Sequence, residues 1–500
     1  MDLITFISIF FFILLLPLLI FLLALSCFST KKPTSQALKP YPLIGHVPQF
    51  IKNRHRYLDW TTEIILSDPT HTMGFQNPFL AHGIITANPF NVEHLIKTNF
   101  VNYPKGQFTT TMLSDFLGQG IFSSDDEQWK HQRKPGIIEF NKKSLKDAIV
   151  DTVQWGIENR LLPLLRRAEG RDEVLDLQDI LECFGFDTTC KLAFNEDPAC
   201  LSIEKEEEEK VIMSKKAKKA FGDAQRLTMV RAMDAFPFTW MTMKKLDNGY
   251  EKKLRKSVAI VHEFAMKMIS KRKELKLNSD LDILSHFESK KETSDEFLRD
   301  VLIGYALTGR EMVSSALSWF FWLLSSAPEV EEKILKEVEE VRDKQLYEKL
   351  REMQYLHAAL TESMRLYPSV AMNTFECRED DILPDGNFVG KGWFVSYNTY
   401  AMGRLKELWG EDCDVFRPEK WLEDGVFRPE SPFRYPIFHA CPRMCLGKEV
   451  AYIQMKVVAA SVLKEFRVNV LLEKGSVPEH ELSLTLRMAN GLPVQVKRRE

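Results

Sequence analysis

The feature that most constrains this chain is a long apolar run at its start. Residues 3–30 contain no charged side chain and are almost wholly hydrophobic. About 20 apolar residues suffice for a helix to cross a bilayer, and such a helix tolerates a proline like Pro17. Lys31 and Lys32 follow the run directly, and this positive charge predicts that the rest of the chain lies on the cytosolic side. We therefore expect residues 1–30 to form a single-pass membrane anchor.

A cleaved signal peptide is the alternative interpretation of this run. Such a peptide has a basic start, a shorter apolar core and a small-residue cleavage site. Here the start carries Asp2 and the core is longer, which favours a retained anchor. Residues 31–48 are rich in proline, which fixes φ and removes a hydrogen-bond donor, so they are predicted to form a stiff hinge. Residues 49–500 form the predicted folded body.

The body has the composition of a globular protein. The chain of 500 residues is 45% hydrophobic and 27% charged, which excludes an intrinsically disordered protein. Its formal net charge of −3 gives no reason to expect a nucleic-acid partner. Its 8 cysteines form no CxxC pair and no zinc-binding spacing, so most of them are predicted to be buried, reduced thiols.

Hydrophobic periodicity predicts a mostly α protein with a small β portion. Helical periodicity dominates residues 125–345. Within this region, residues 298–327 are predicted to be a long buried helix, because Arg310 and Glu311 interrupt an apolar run that would otherwise suit a membrane span. Short strands are predicted in residues 70–101, 382–398 and 482–497.

The segment FHACPRMCLG, residues 438–447, carries the clearest chemical signal. Cys445 follows the basic Arg443 and directly precedes a helical stretch. The helix dipole and the guanidinium both favour a thiolate, and a thiolate is a suitable axial ligand for haem iron. A lone cysteine before a helix is more often structural, so this pattern alone leaves both interpretations open.

This segment resembles the haem loop of the cytochrome P-450 family, F-x-x-G-x-R-x-C-x-G, with Phe438, Arg443, Cys445 and Gly447 in register. The resemblance implies that Cys445 is the proximal haem ligand, that Phe438 shields its sulfur and that Arg443 pairs with a haem propionate. The motif's first glycine is Cys441 here. Glycine at such a place usually serves an unusual φ, so the Cβ of Cys441 is expected to strain the loop. Its thiol is a weak competitor for the iron.

Other motifs of the family occur in the expected order. Trp129 and Arg133 in QWKHQRK resemble W-x-x-x-R, which implies that both face a haem propionate. Glu362 and Arg365 in TESMRL resemble the buried E-x-x-R pair, and Lys420 in FRPEKW stands where the family has the arginine that joins this pair. Because lysine lacks the planar fork of arginine, a weaker clamp on the haem-side loop is expected.

Residues 307–315 resemble the family's oxygen-binding groove, A-G-x-D-T-T-S. The resemblance implies that Glu311, the candidate catalytic residue, delivers protons to dioxygen. Met312 and Val313 replace both threonines, and Thr308 replaces the small first residue. A hydroxyl donates, accepts and holds water, whereas a methionine sulfur is only a weak acceptor. Proton delivery is therefore expected to run through Glu311, ordered water or a substrate oxygen.

Stretches such as WGEDCDVFRPEKWL and PRMCLGKE are similar to the plant fatty-acid ω-hydroxylases, the ninety-fourth family of cytochromes P-450, and the similarity runs from about residue 40 to the end. It implies the cytochrome P-450 fold, mostly α with a small β portion, preceded by an N-terminal transmembrane helix in the endoplasmic reticulum membrane. It also implies a haem cofactor and an NADPH–cytochrome reductase partner. The implied substrate is a hydrophobic small molecule hydroxylated at or near its terminal carbon.

The similarity allows a fatty acid, a jasmonoyl conjugate or a sterol side chain as substrate. It implies substrate contacts near residues 108–117, 304–308, 370–374 and 488–492, which are largely apolar and suit a hydrocarbon channel. Asn373 and Asn490 are candidates for contact with a polar head group, and each is equally well explained as a satisfied loop residue.

Two other functions remain open on the sequence. A haem isomerase or lyase acting on a hydroperoxide needs neither a reductase nor proton delivery, which suits the lost groove threonines. The second is a catalytically impaired family member, because Met312, Val313, Lys420 and Cys441 all depart from the family pattern. The predicted anchor favours a hydroxylase over the isomerase, since it suits a membrane-bound reductase.

Overall fold

The computed structural model describes residues 11–18, 33, 38–194, 196–204, 207–274, 294–341, 346–473 and 475–499. Most of the predicted anchor lies outside these residues. Within the part of the chain that the structure describes, no helix is both long and apolar enough to cross a bilayer. The predicted boundaries of anchor, hinge and body at 1–30, 31–48 and 49–500 therefore stay predictions.

Helices form most of the described body, as the periodicity predicts. Each buries the apolar positions that recur along one face and leaves charged positions in solvent. Short 3-10 or π turns join several of them. The α-helices are α1 (Val47–Asn53), α2 (Tyr57–Ser67), α3 (Pro89–Glu93), α4 (Gly106–Leu117), α5 (Asp126–Asn141), α6 (Lys143–Gly156), α7 (Leu162–Glu169), α8 (Leu177–Phe194), α9 (Glu208–Ala232), α10 (Pro237–Lys245), α11 (Gly249–Glu274), α12 (Asp295–Leu307), α13 (Val313–Leu324), α14 (Pro328–Glu340), α15 (Leu346–Glu352), α16 (Gln354–Leu366), α17 (Thr399–Met402), α18 (Lys406–Trp409) and α19 (Lys448–Glu465).

The strands are short and gather in small sheets. They are β1 (Thr72–Phe75), β2 (Gly83–Thr86), β3 (Leu175–Asp176), β4 (Met372–Glu376), β5 (Asp381–Ile382), β6 (Phe388–Val389), β7 (Phe394–Asn398), β8 (Leu422–Glu423), β9 (Val426–Phe427), β10 (Phe466–Val470), β11 (His480–Leu482), β12 (Leu486–Met488) and β13 (Pro493–Arg498). The largest sheet has the order β1-β2-β7-β4, in which only β2 and β7 run parallel. A second sheet has the order β10-β13-β3, and three two-stranded sheets pair β5 with β6, β8 with β9, and β11 with β12. The fold is thus mostly α with a small β portion, which confirms the predicted fold class.

The strand predictions are correct in part. In residues 70–101, β1 and β2 are present, but the chain is helical from Pro89. The side chain of Asn88 accepts the Phe90 N–H at 3.0 Å and caps α3, and proline suits the first helical turn. The strands predicted in residues 382–398 are present: β5 and β6 pair antiparallel across a turn with Gly386 at φ 88°, and β7 follows.

One helix runs through the core, as predicted for residues 298–327. It comprises α12, a π turn at Thr308–Met312 and α13, and it ends at Leu324. Trp319 is fully buried and stacks on Tyr367 with ring centroids 4.1 Å apart. A π turn displaces backbone carbonyls from regular pairing and recurs at functional sites. Here the Ser369 hydroxyl donates to the Met312 carbonyl at 2.8 Å.

A buried ion pair holds in place the segment that leads to the loop of residues 438–447. Arg365 donates to both carboxylate oxygens of Glu362 at 2.7 and 2.8 Å, and both side chains are fully buried. Arg365 also donates to the carbonyls of Cys413 (2.5 Å) and Gly403. This fork ties α16 to the chain around residues 403–415.

The predicted role of Lys420 in this clamp is wrong. Its ammonium group donates to the Trp409 carbonyl at 3.0 Å and to the Asp412 side chain at 2.8 Å. The Trp421 indole N–H instead donates to Glu362 Oε2 at 2.8 Å. The neighbouring aromatic residue supplies the missing donor, so the carboxylate keeps its partners without an arginine at position 420.

We expect Glu362→Gln to destabilise the fold strongly. The substitution leaves the Arg365 guanidinium buried without a counter-charge, which typically costs about 3–5 kcal/mol. Urea unfolding of the purified protein measures the change in the free energy of unfolding. Glu423→Gln is the matched control, because Glu423 forms an exposed ion pair with Arg428 and should change stability by about 0.5 kcal/mol or less. Equal losses in the two variants would refute the clamp.

Candidate functional site

A cavity of about 620 Å³ lies between the central helix, α5 and the loop before α19. Of the segments expected to contact substrate, residues 108–117, 304–308 and 370–374 contribute lining side chains. The expectation for residues 488–492 is wrong. The tip of the β11–β12 hairpin lines the cavity instead, with Ser483 and Leu484, because Met488 packs into the core and Asn490 is exposed at the surface.

The loop of residues 438–447 presents one of its two cysteines to this cavity. Cys445 lines the cavity, and its backbone N–H donates to the Phe438 carbonyl at 2.7 Å. Cys441 is exposed and is not a lining residue. Gly447 caps α19, and a Cβ added there would lie 4.0 Å from the Cys445 sulfur. The loop therefore aims the Cys445 sulfur at the cavity and keeps the space beside it open.

Cys441 has the backbone conformation that the family glycine implies. Its φ is 55°, in the left-handed region that costs an L-residue roughly 1–2 kcal/mol. The expected strain in the loop is thus located at one residue, while the cysteine side chain points to solvent rather than at the cavity.

The electrostatics of the Cys445 thiol differ from the expectation. Burial raises the pKa of Cys445, and the Gly447 N–H is the largest influence that lowers it. The nearby cations that also lower this pKa are Arg133 and Lys448. Arg443, expected to act on the sulfur, is paired with Asp125 at 2.5 Å. A coordinating thiol is deprotonated by its metal outright, so a metal bound at Cys445, rather than Arg443, would stabilise the thiolate.

Cationic and aromatic side chains gather at one edge of the cavity. Trp129, Arg133 and Arg443 all line it, and the Arg443 guanidinium lies 4.7 Å from the Trp129 ring centroid. Arg133 donates to the Met444 carbonyl. The Nε atoms of Arg133 and Arg443 are buried without a hydrogen-bond partner in the described residues. Buried unpaired donors are rare and call for a ligand, and two carboxylates at this edge would satisfy them.

Lys105 is a further member of this edge that the sequence reasoning missed. It lines the cavity, and its ammonium group lies 5.1 Å from the Phe375 ring centroid. Burial, then the charge of Arg443, lowers the pKa of Lys105 to about 8. Burial, Lys105 and Arg443 together lower the pKa of His439 to about 3, so this imidazole is neutral and adds no charge. Only the fold brings Lys105 to Arg443, and the sequence carried no signal for it.

The residues present fit a haem group. The porphyrin is flat and apolar, with one axial sulfur ligand and two propionates. The cavity offers the Cys445 sulfur on one side, the apolar face of the central helix, and unpaired guanidinium donors at the edge. Phe438, the first residue of the loop, also lines the cavity, and its ring contacts Tyr452 at a centroid distance of 5.4 Å.

The groove residues divide between the cavity and the interior behind it. Thr308, Met312 and Val313 line the cavity, and the Thr308 hydroxyl donates to the Tyr305 carbonyl at 3.1 Å. Glu311 is 1% exposed and is not a lining residue.

Glu311 lies behind the groove in a polar network. Its carboxylate pairs with Arg310 and accepts from the Thr485 hydroxyl at 3.3 Å. Burial lowers the pKa of Arg310 to about 10, a value at which the guanidinium stays charged at neutral pH. Arg310 therefore supplies the counter-charge that a buried carboxylate requires.

Comparison with known proteins agrees with this geometry. The family model described as "Cytochrome P450" matches residues 36–495. Cytochrome P450 CYP94D108 from Paris polyphylla is 46% identical over 91% of this chain and 90% of its own length. Cytochrome P450 94A1 from Vicia sativa is 39% identical over 97% and 98% of the two chains, and cytochrome P450 94B1 from Arabidopsis thaliana is 40% identical over 98% and 97%.

We expect Cys441→Gly to raise both stability and haem occupancy. Glycine adopts the observed φ without strain, so the free energy of unfolding should rise by about 1 kcal/mol. The ratio of Soret to protein absorbance measures occupancy, and urea unfolding measures stability.

Cys441→Ala is the matched control for this variant, because alanine removes the sulfur but keeps the Cβ. If alanine improves the protein as much as glycine does, the sulfur rather than the backbone conformation is the source of strain. Unchanged occupancy and stability in the glycine variant would show that the loop accepts the larger side chain.

Proposed function

Because the chain belongs to the cytochrome P450 family and is therefore a haem-thiolate monooxygenase, we propose that it hydroxylates the terminal or near-terminal carbon of an alkyl substrate. The candidate substrates are a fatty acid or its analogue, a jasmonoyl conjugate or a sterol side chain. The observation that carries the proposal is that Cys445 and the central helix line the same largely apolar cavity. An alkyl chain fits such a channel, whose walls exclude water.

Each residue at the haem edge has a role in this proposal. Haem held in this cavity would supply the reductive activation of dioxygen with two electrons derived from NADPH, one oxygen atom entering a carbon–hydrogen bond and the other leaving as water. Cys445 would ligate its iron, and Phe438 would keep water from the sulfur. Arg133 and Arg443 hold the propionates through their unpaired donors, with Trp129 packed beneath Arg443.

Proton supply is the step in which this chain departs from its family. Met312 and Val313 bring no hydroxyl to the groove. Thr308 does line the cavity, one turn earlier on the same helix. We propose that Glu311 takes up protons from solvent and passes them to the groove through ordered water, and that Thr485, whose hydroxyl donates to this carboxylate, positions it. Arg310 supplies the counter-charge of this buried carboxylate.

The electron donor and the location follow from the same assignment. Cytochromes P450 generally take electrons from a redox partner, and we propose an NADPH–cytochrome reductase in the endoplasmic reticulum membrane. Residues 1–30 would anchor the chain there with its body in the cytosol. Large apolar side chains exposed in the hinge, such as Tyr41, and on the body, such as Phe238 and Leu246, suit contact with a membrane surface.

The family match does not favour a hydroperoxide isomerase. An impaired family member would differ from an active hydroxylase in the amount of product formed per NADPH consumed. Both hypotheses predict a normal haem spectrum. An isomerase would turn over a fatty hydroperoxide without NADPH, and an impaired enzyme would consume NADPH with little organic product.

Product analysis in reductase-supplemented microsomes tests the proposal. We expect NADPH-dependent formation of a product hydroxylated at or near the chain end when a panel of fatty acids, jasmonoyl conjugates and sterols is supplied. Cys445→Ser should abolish product and the reduced carbon monoxide band. Cys441→Ser should retain both, because that thiol does not line the cavity. Conversion of a hydroperoxide without NADPH, or full activity in the Cys445 variant, would contradict the proposal.

We expect a hydroxyl restored to the groove to increase the share of consumed NADPH that yields hydroxylated product. In Met312→Thr/Val313→Thr, product formed per NADPH consumed should rise on the order of twofold or more, because a hydroxyl can hold and donate a proton where sulfur cannot. Met312→Leu is the control, since it changes shape without adding a donor. Tight coupling already present in the wild type would show that Glu311 and water suffice.

A further inference from the structure

Two buried cysteines lie in contact with each other outside the cavity that holds the candidate haem site. Cys183 belongs to α8, and Cys200 belongs to the connection between α8 and α9. Both are 1% exposed and neither lines the cavity. The Cys200 thiol donates to the Cys183 sulfur at 3.0 Å. A disulfide bond is about 2.05 Å long, so the two sulfur atoms need to approach by only about 1 Å to form one.

Hydrogen bonds from two helices hold the connection in this position. Asp187, one turn after Cys183 on α8, accepts the backbone N–H of Cys200 at 2.8 Å. On the other side, the Ser214 hydroxyl of α9 donates to the Pro198 carbonyl at 2.5 Å. Because the fold already orients the two thiols towards each other, a reaction between them avoids the entropy cost of bringing them together.

The Lys218 ammonium group is a charged neighbour of this pair. Burial lowers the pKa of Lys218, but nearby negative groups, first of them Cys183, outweigh burial and raise it. Lys218 also pairs with Asp179, an exposed residue one turn before Cys183 on α8, so the pair of thiols lies close to the surface. A cation beside a sulfur favours the thiolate, which is the nucleophilic form.

The second thiol of the pair keeps its proton. The hydrogen bond to Cys183, and then burial, raise the pKa of Cys200, and the S–H that it retains supports negative charge on the Cys183 sulfur. Cys190, also on α8, provides a contrast. Burial and the charge of Asp187 raise the pKa of Cys190 well above its ordinary value, so this thiol is expected to be unreactive.

Metal binding does not account for the pair. A structural zinc ion takes four ligands. Among the residues that the structure describes, no group of three histidine, cysteine or carboxylate side chains could hold a metal ion. The charge of Lys218 also opposes a cation at this place. The pair instead suits bond formation between its own two sulfur atoms.

We propose that Cys183 and Cys200 are a redox-active pair that hydrogen peroxide converts into a disulfide. The Cys183 sulfur attacks one peroxide oxygen, the oxygen–oxygen bond breaks, and the thiol proton leaves with the other oxygen as water, so that Cys183 becomes a sulfenic acid. The Cys200 sulfur then attacks the sulfenic sulfur, and its proton leaves with the hydroxyl group as a second water. Two thiols are oxidised to one disulfide while one peroxide is reduced to two waters.

Peptide mapping tests the proposal, because trypsin cleaves after Lys191 and so separates the peptide of Cys183 from that of Cys200. The detergent-solubilised, haem-loaded full chain is treated with a small molar excess of hydrogen peroxide, free thiols are alkylated, and linked peptides are identified by mass. We expect these two peptides to be linked with the loss of two hydrogen atoms, and dithiothreitol to separate them. Imidazole bound at the iron, which keeps peroxide from reacting there, should not change the yield.

Cysteine variants identify which sulfur atoms are joined. Cys183→Ala and Cys200→Ala should each abolish the linked peptides. Cys190→Ala is the matched control, because Cys190 lies on the same tryptic peptide as Cys183, and it should leave the link unchanged. The reduced carbon monoxide spectrum of each variant shows whether its haem site is folded.

A charge change beside the pair tests its reactivity without altering either thiol. Lys218→Met keeps an aliphatic side chain but removes the ammonium group, so the disulfide should form more slowly, on the order of threefold. The Lys218 carbonyl, which accepts from Arg310 at 2.8 Å, remains in this variant. Lys219→Met is the matched control, because Lys219 is the next residue of α9 and is exposed, and it should leave the rate unchanged.

The outcomes are separate from the proposed function, since none of them measures hydroxylated product. Oxidised wild-type protein without the linked peptides, or a link that Cys190→Ala removes, overturns the proposal. Equal rates of disulfide formation in the Lys218 and Lys219 variants also overturn it, because they would show that the two sulfur atoms behave as ordinary buried thiols.

Discussion

The structure depends on holding one sulfur atom at the end of a buried helix. Cys445 is fixed by its own N–H on the Phe438 carbonyl and by the first turn of α19. The segment that precedes this loop is tied to α16 by Arg365, which pairs with Glu362 and donates to the Cys413 carbonyl. Burial works against ionisation of the thiol, so the fold positions the sulfur and a bound iron would supply the charge that stabilises a thiolate. The guanidinium Nε atoms without partners at the cavity edge would likewise be satisfied by the propionates of a bound haem.

The family departures have separate physical consequences. At Lys420 the loss of the family's arginine is compensated, because the Trp421 indole N–H donates to Glu362 in its place. At Cys441 the departure leaves a left-handed backbone with a Cβ, and no neighbouring residue can relieve a torsional strain. At Met312 and Val313 the departure removes hydroxyls from the cavity wall and leaves Glu311 behind it. The departures at Lys420 and Cys441 are thus absorbed or confined, whereas the departure in the groove changes which polar groups face the cavity.

The sequence predicted what depends on periodicity and local motifs. The central helix, the β5–β6 hairpin, and the placement of Cys445 with Trp129, Arg133 and Arg443 around one cavity follow from residue spacing. The features that the sequence did not predict depend on contacts between distant segments. Lys105 meets Arg443 only in the folded chain, and Trp421 replaces Lys420 through side-chain reach. The error at residues 488–492 has the same origin, since pairing of β12 with β11 turns the hairpin tip, rather than the following turn, toward the cavity.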